Sequence, residues 1–417
     1  MTDPPLHLAY LTGEYPRATD TFIQREVAGH RCRGVVVSTF AIRRPAPEDL
    51  RSDTQERERV ATSAVLPAPA GSVVLAHARL LLRRPSTYLR AARLARHTAR
   101  PGLRGHLLQV AYFVEAGLLA NELRRRRVDH LHNHLADSSC TVAMLASELS
   151  GVPFSFTLHG PTIFFEAHTW RLDEKLRRAA FCSCISYFAR SQAAVFAPER
   201  LDRFHVVHCG VDSVGVIPSA AECGRARVLY VGRLTSLKGM SVLLDAMVAI
   251  RDAVPRVELV VIGDGPDRDA FEAHARRLGI DSSVSFRGVR SPQEVADALA
   301  STDVFVLPSF AEGVPVSLME ALAAGVPVVS TPVGGVTELV EHGVNGMLVR
   351  PADPDALASA VTELLGDPDR RREMGAAGRR AVAADFDADI ESGRLLRLIR
   401  DHAAGVPSAI RPEPSPR

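Results

Sequence analysis

Two glutamates, Glu312 and Glu320, stand in the run Phe310-Ala311-Glu312-Gly313-Val314-Pro315-Val316-Ser317-Leu318-Met319-Glu320-Ala321-Leu322-Ala323-Ala324-Gly325. The apolar segment Val304-Phe305-Val306-Leu307-Pro308 before it reads as a short buried strand. Pro315 suits the first position of a helix, where an N–H would have no partner, and Gly325 suits its left-handed stop. The run therefore predicts strand, tight loop, helix. Both carboxylates would then border a helix N-terminus at which the amides of Gly313, Val314, Val316, Ser317 and Leu318 could hold an anion. That pattern suits a ligand with phosphate at one place and hydroxyls at two others.

A second charged pair supports this chemistry. Arg227-Val228-Leu229-Tyr230-Val231-Gly232 reads as a strand, and Arg233 and Lys238 follow it. Arginine can grip a phosphate bidentately, and lysine offers a compact charge. A third candidate is His159, in Val152-Pro153-Phe154-Ser155-Phe156-Thr157-Leu158-His159-Gly160, where a strand opens into its exit loop. The strand Val128 to Ala136 carries His130, His132 and His134, which alternation puts on one face. No carboxylate or thiolate stands nearby in sequence at ligand spacing, so no metal site is expected and His134 is assigned to the ligand edge.

These motifs need a particular frame. Strand and helix signals alternate from Leu6 to about residue 384, which predicts an α/β protein with parallel sheets. The first strand, Leu6 to Thr12, opens into a loop holding Thr19, Asp20 and Thr21. These could meet a ligand's phosphates or only cap the following helix. The second half has a Gly-rich turn at Gly263 and Gly265, then a strand ending near Arg290. Asn345-Gly346 carries a hairpin signal, and Asp387 is placed as the cap of the last helix.

The chain has 417 residues, enough for two or three domains. Residues 1–222 hold 28 Lys and Arg against 21 Asp and Glu, whereas the remainder holds 22 against 27. The first half is thus the basic one. Residues 77–106 contain eight arginines, no acidic residue and interleaved leucines, interrupted at Pro85 and Pro101. They read as basic amphipathic helices, either a solvated face or a surface for anionic lipid. Nucleic acid is not expected, because no recognition motif or interleaved aromatic platform accompanies the charge. No apolar run reaches membrane-spanning length, no secretory leader is recognised, and six scattered cysteines suggest reduced thiols, so a cytoplasmic location is expected. Residues 43–70 read as an exposed excursion, and 405–417 as a disordered polar tail.

The residues Glu312-Gly-Val-Pro through Glu320-Ala-Leu-Ala-Ala-Gly-Val-Pro-Val-Val, with Gly232-Arg233 and Lys238-Gly239, resemble the retaining glycosyltransferase family of GT-B fold, family 4 type. The likeness is strong over residues 228–350 and extends to 6–27 and 130–212, where the Glu-Tyr-Pro…Thr-Phe loop looks like exopolysaccharide-cluster members. It implies two doubly wound Rossmann-like domains facing across a cleft. The expected bounds are 1–212, a linker at 213–225, a nucleotide-sugar domain at 226–385, and a helix at 386–404 returning to the first domain. It also implies transfer of a sugar from a nucleoside diphosphate, uridine being favoured, to a hydroxyl of a glycan, glycolipid or small molecule, without metal or other cofactor. His159, Arg233, Lys238 and Glu312 would be catalytic. Gly263, Gly265, Arg290, the segment Gly313, Val314, Pro315, Val316, Ser317, Leu318, and Glu320 would bind the donor. Thr19, Asp20, Thr21 and His134 would lie on the acceptor side. Alternatives from other classes are a sugar-nucleotide epimerase and a non-catalytic sugar- or membrane-binding protein of the same fold.

Overall fold

The computed structural model describes residues 5–17, 20–47, 50–212 and 225–415. The chain forms two units, Met1–Val207 together with Ile390–Arg417, and His208–Asp389. The segment 213–224, most of the expected linker, lies outside the described residues, as does Thr19.

The first unit is built on strands β1 (His7–Glu14), β2 (Val36–Arg43), β3 (Ser63–Ala64), β4 (His130–His134), β5 (Phe154–Leu158), β6 (Cys182–Cys184) and β7 (Phe204–Val206). Their order is β3-β2-β1-β4-β5-β6-β7, and every neighbouring pair is parallel. Chain order reverses between β1 and β4, the place where a doubly wound sheet opens a crevice at its strand ends. Register pairs Leu11 with Asn133 and His134 with Thr157, so the ends of β1, β4 and β5 lie side by side. The helix Ala388–Ala403 packs into this unit. Its Leu395, Leu396, Leu398 and Ile399 join Leu8, Tyr10, Ile23 and Val27 in one buried cluster. Each fully buried side chain of this size contributes roughly 1.5–3 kcal/mol. Asp387 caps the helix as expected, its Oδ1 accepting the Asp389 amide at 2.9 Å.

The second unit uses β8 (Ala226–Val231), β9 (Val257–Ile262), β10 (Val284–Phe286), β11 (Val304–Leu307), β12 (Val328–Ser330) and β13 (Gly346–Leu348). Their order is β10-β9-β8-β11-β12-β13, again parallel throughout. Here the reversal falls between β8 and β11. The loops leaving those two strands carry Arg233 and Lys238 on one side and Glu312 on the other.

Several expectations are corrected. Residues 43–70 are not a bare excursion: the helix Asp53–Ala61 starts on Ser52, whose side chain accepts the Gln55 amide, and β3 closes the sheet edge. Strand β1 continues to Glu14, because Glu14 still pairs with Arg43. Asn345-Gly346 makes no hairpin. Asn345 is buried and bonds the backbone of Leu339 and Glu341, and Gly346 enters a parallel pairing with Val328. The C-terminal segment is docked rather than disordered over residues 405–415. The Val206 amide donates to the Ile410 carbonyl at 2.6 Å, and Arg411 pairs at 3.0 Å with Glu391, which is 2% exposed. Its polar composition hid a set of partners waiting on the first unit.

Candidate active site

The buried end of the second unit's site starts with Glu312, 4% exposed in the loop after β11. Its Oε1 accepts from the Ser309 hydroxyl at 2.6 Å and from Lys238 Nζ at 2.6 Å. Lys238 arrives on the short turn Ser236–Lys238 beyond β8. The next residue, Gly239, has φ +66°, and a Cβ there would stand 2.0 Å from the Pro308 carbonyl oxygen. Only glycine lets the two loops approach so closely. The Phe310 amide, donating to the Leu237 carbonyl at 2.8 Å, ties them again. Glu312 would be a costly buried charge alone. The ammonium and hydroxyl compensate it, and removing a partner from such a pair costs roughly 3–5 kcal/mol. Nearby Tyr230 is raised above its usual range by burial first and by the Glu312 charge second.

The helix after the loop spans Val316–Ala323. Pro315 is its cap residue, φ −69° and ψ 123°, one position earlier than expected, and being a proline it offers no N–H. The Leu318 and Met319 amides both turn back to the Pro315 carbonyl, so Leu318 is not an open donor. Among the described residues, the open amides of the first turn are those of Val316 and Ser317, with Gly313 and Val314 in the loop before them. Leu318, Met319, Ala321 and Leu322 face the core, whereas Val316, Ser317 and Glu320 form the partly exposed face. Glu320 therefore shares a face with the open turn. Gly325, φ +77°, provides the expected left-handed stop.

Arg233 is exposed and, among the described residues, its guanidinium has no ion pair or hydrogen bond. Gly263 and Gly265 act through backbone packing. Gly263 has φ +133°, and a Cβ there would lie 1.9 Å from the Gly232 oxygen; at Gly265 it would lie 2.2 Å from the Leu234 oxygen. They hold the turn after β9 against the segment that carries Arg233. Arg290, expected to bind the donor, stands exposed at the surface. It makes a surface pair with Glu294 at 3.3 Å, at the start of the helix Pro292–Ala300.

In the first unit, His134 closes β4 and His159 follows β5. His134 Nδ1 and His159 Nε2 are 3.0 Å apart, and His134 Nε2 meets Glu26 Oε1 at 3.1 Å. Tyr10 stacks on His134 at 5.6 Å, and its hydroxyl bridges Glu26 at 2.7 Å and His30 Nδ1 at 3.0 Å. Phe22 lies 4.8 Å from the His159 ring. Burial pushes His134 down to about 3, and burial followed by His134 lowers His159 well below its ordinary value. Burial thus favours the neutral form of both rings. Asp20 occupies the first helix's cap position but gives its carboxylate to Arg17 at 3.0 Å, and Thr21 is the first residue of that helix. Asp20 makes no side-chain capping bond to that helix.

Glu26, His132 and His134 bring three atoms of metal-ligand type within 4.8 Å of one another. The carboxylate missing from the local sequence is delivered by the first helix, Thr21–Cys32. Each ring nitrogen is already engaged, however. His132 meets Ser155 and Thr157 at 2.8 and 2.9 Å, and His134 meets Glu26 and His159. In this structure the same groups, which could hold a metal ion, form a hydrogen-bond network. Sequence reasoning passed over Tyr10, Glu26 and Ser309. Glu26 could have been noticed four residues after Phe22, on one helix face.

Comparison with known proteins fits this architecture. The profile described as Glycosyl transferases group 1 matches residues 219–381, and that described as Glycosyltransferase Family 4 matches residues 72–214. The chain belongs to the family 4 type of GT-B glycosyltransferases. Among its relatives is the GDP-mannose-dependent alpha-(1-6)-phosphatidylinositol monomannoside mannosyltransferase of Mycobacterium tuberculosis, 36% identical over 43% of this chain and 49% of that protein. The alignment thus spans about half the length of that relative. The alpha-D-kanosaminyltransferase of Streptomyces kanamyceticus is 27% identical over 67% of this chain and 79% of its own. The family's fold is shared by the sucrose-phosphate synthase of Thermosynechococcus elongatus, with a TM-score of 0.76, 19% identity, and 96% of this chain and 100% of that one covered.

Proposed function

We propose that this family 4 protein transfers a sugar from a nucleoside-diphosphate donor to a hydroxyl acceptor, with retention at the anomeric carbon. The observation that carries the reading is the Lys238–Glu312–Ser309 cluster beside the open helix turn at Val316 and Ser317. Lys238 and Arg233 neutralise the charge that grows on the departing diphosphate, and the open amides assist. These fixed cations take the place of a metal ion. Glu320 accepts from the ribose hydroxyls. Glu312 Oε2 accepts from a hydroxyl of the transferred sugar. Glu312 Oε1 already accepts two hydrogen bonds, and Glu312 as nucleophile is the less favoured alternative. The bond to the diphosphate breaks as the acceptor oxygen joins the same face, and the leaving phosphate oxygen takes the acceptor's proton.

Uridine is retained as the proposed base. GDP-mannose is the second reading, favoured by the printed activity of the mycobacterial relative. The acceptor class is a glycan, glycolipid or small molecule. A thermal-shift screen with UDP-, GDP- and ADP-sugars tests the donor, because ligand bound to the folded state raises the melting point. No shift with any of them removes the reading. Hydrolysis or epimerisation without an acceptor would favour the epimerase instead.

Association with an anionic membrane surface is a separate proposal, independent of the acceptor. No helix among the described residues is long and apolar enough to span a bilayer. The basic region forms the helices Ala70–Arg83, Pro85–Thr98 and Leu103–Arg125. Val74, Leu75, Leu81 and Leu82 stand exposed on the first, and Leu103, Leu107 and Val110 on the third. Arg124 is pushed below its usual range, first by desolvation and then by Arg84 and Arg83, so three guanidiniums crowd one place. Exposed leucines on arginine-rich helices suit an anionic lipid surface.

A further inference from the structure

The first unit holds a cavity at the sheet edge opposite the strand ends that carry His134 and His159. There Ala180 and Phe181 lead into β6, and Phe204 opens β7. Leu398 and His402 of the last helix line it, as do Val406, Pro407 and Ile410 of the docked C-terminal segment. Its volume is about 670 Å³, within the range that takes a small organic molecule. The buried part of the lining is apolar. Phe181, Phe204 and Leu398 are at most 2% exposed, and Phe181 lies 6.2 and 6.1 Å from the rings of His205 and His402. The charged part is mainly cationic: Arg190 and Arg203 stand there with the carboxylate of Asp202. Arg190 donates to the Phe204 and Leu201 carbonyls at 2.9 and 3.4 Å, and Arg203 to the Ala180 carbonyl at 3.3 Å. These bonds orient both guanidiniums without neutralising them. Among the described residues, neither has a carboxylate within ion-pair distance. Arg200 adds to the charge. Its guanidinium donates to the Ala179 carbonyl at 3.4 Å, and among the described residues its buried Nε has no hydrogen-bond partner. His402 is lowered first by desolvation, then by Arg203 and Arg200, so these cations act on one neighbourhood.

We propose that this cavity binds a small organic anion, its apolar body against Phe181, Phe204 and Leu398 and its phosphate or carboxylate on Arg203 and Arg190. An arginine fork offers such a group two parallel N–H donors, and partial burial strengthens the attraction. The apolar lining excludes a bare inorganic anion as the best ligand, because it would leave that surface wet. The cations likewise disfavour an uncharged ring, which would leave them without a counter-ion. The docked segment forms part of the lining, so a bound anion also holds residues 405–410 in place. The site lies wholly in the first unit and is independent of the sugar-transfer reading.

The test uses the full chain and 1-naphthyl phosphate, with 1-naphthol and inorganic phosphate as controls. Calorimetry should find one site per chain, with both controls binding about tenfold or more weakly. Arg203→Gln should weaken the naphthyl phosphate by about tenfold, the scale of one charge-assisted contact. Val406→Trp fills the cavity from a half-exposed position and should weaken it as much, without disturbing a buried residue. Melting points establish that each variant is folded, and Val406→Trp carries the test if Arg203→Gln is not. Amide exchange locates the site. The amides of Val206 and Val406 donate to the carbonyls of Ile410 and Asp401 at 2.6 and 2.8 Å, and both should exchange more slowly with the probe bound. Absence of binding at millimolar probe overturns the proposal. Equal affinity in the folded variants does the same, as does 1-naphthol binding as tightly as its phosphate. Protection confined to the helices Ala70–Arg83 and Leu103–Arg125, or to the loops after β8 and β11, places the probe elsewhere and also overturns it. No donor or acceptor is present in these measurements, so failure of the transfer reaction leaves their outcome untouched.

Discussion

Lys238 Nζ lies 2.6 Å from Glu312 Oε1, although the two side chains leave different strands. The pair places a fixed cation at the switch point of the second sheet, held by a buried carboxylate. Lys238→Ala should lower kcat by about 10²–10³, the scale of losing one transition-state electrostatic contact. KM should move little, because the charge matters most as the bond breaks. Steady-state kinetics check this, and an unchanged kcat excludes Lys238 from the chemistry. The variant also leaves Glu312 with Ser309 alone, so the folded state should be confirmed by its melting point.

Glu320 sits on the same helix face as the open amides of Val316 and Ser317. Glu320→Ala should weaken nucleotide affinity about tenfold, near 1.4 kcal/mol for a charge-assisted hydrogen bond. Calorimetry with the free nucleoside diphosphate reads this directly. Equal affinity would take the ribose contact away from Glu320.

Acid should unfold the first unit through its buried histidines. His130 and His134 are both held near 3, chiefly by burial, against an ordinary value of 6.5. Below pH 6.5 the unfolded chain binds protons that the folded chain refuses. Stability therefore falls as pH drops from about 6.5 toward about 3, and these groups add no slope above pH 7. Each contributes up to about 1.4 kcal/mol per pH unit inside that window. Urea midpoints at pH 7.5, 6 and 5 measure it, and His130→Gln should flatten the slope by about one proton.

The docked C-terminal segment should matter to stability. Arg411 and Arg394 both pair with Glu391 Oε1, at 3.0 and 3.1 Å. Arg411→Ala should lower stability by about 1–3 kcal/mol, the cost of withdrawing one partner from a buried charged group. Denaturant titration gives the value; a change under 0.5 kcal/mol would return this segment to the status of a loose tail.

The basic helices make a surface prediction. Vesicles with a third of anionic lipid should co-sediment the protein at low salt and release it as ionic strength rises. Leu82→Glu with Leu103→Glu, at two of the most exposed apolar positions, should reduce the bound fraction at least fivefold while leaving soluble-acceptor turnover unchanged. Equal binding to neutral vesicles in high salt would remove the electrostatic part.

The sequence by itself determined the two alternating β/α halves, the breaks at Pro85 and Pro101, and the strand–loop–helix around Glu312. Those signals are local: apolar runs, caps, prolines and glycines act within a few residues. It also brought forward Arg233, Lys238 and Glu312, because charged residues cluster after strand ends. Tertiary structure alone decided that Lys238 and Ser309 converge on one oxygen of Glu312, since Gly239 must pass over Pro308 for the loops to meet. It also decided that Glu26 reaches His134 across 108 residues of chain, and that residues 405–415 dock on the first unit. The physical reason is the same in each case. A hydrogen bond or ion pair depends on distances near 3 Å between atoms that strand order brings together, and strand order leaves no mark on the spacing of residues along the chain.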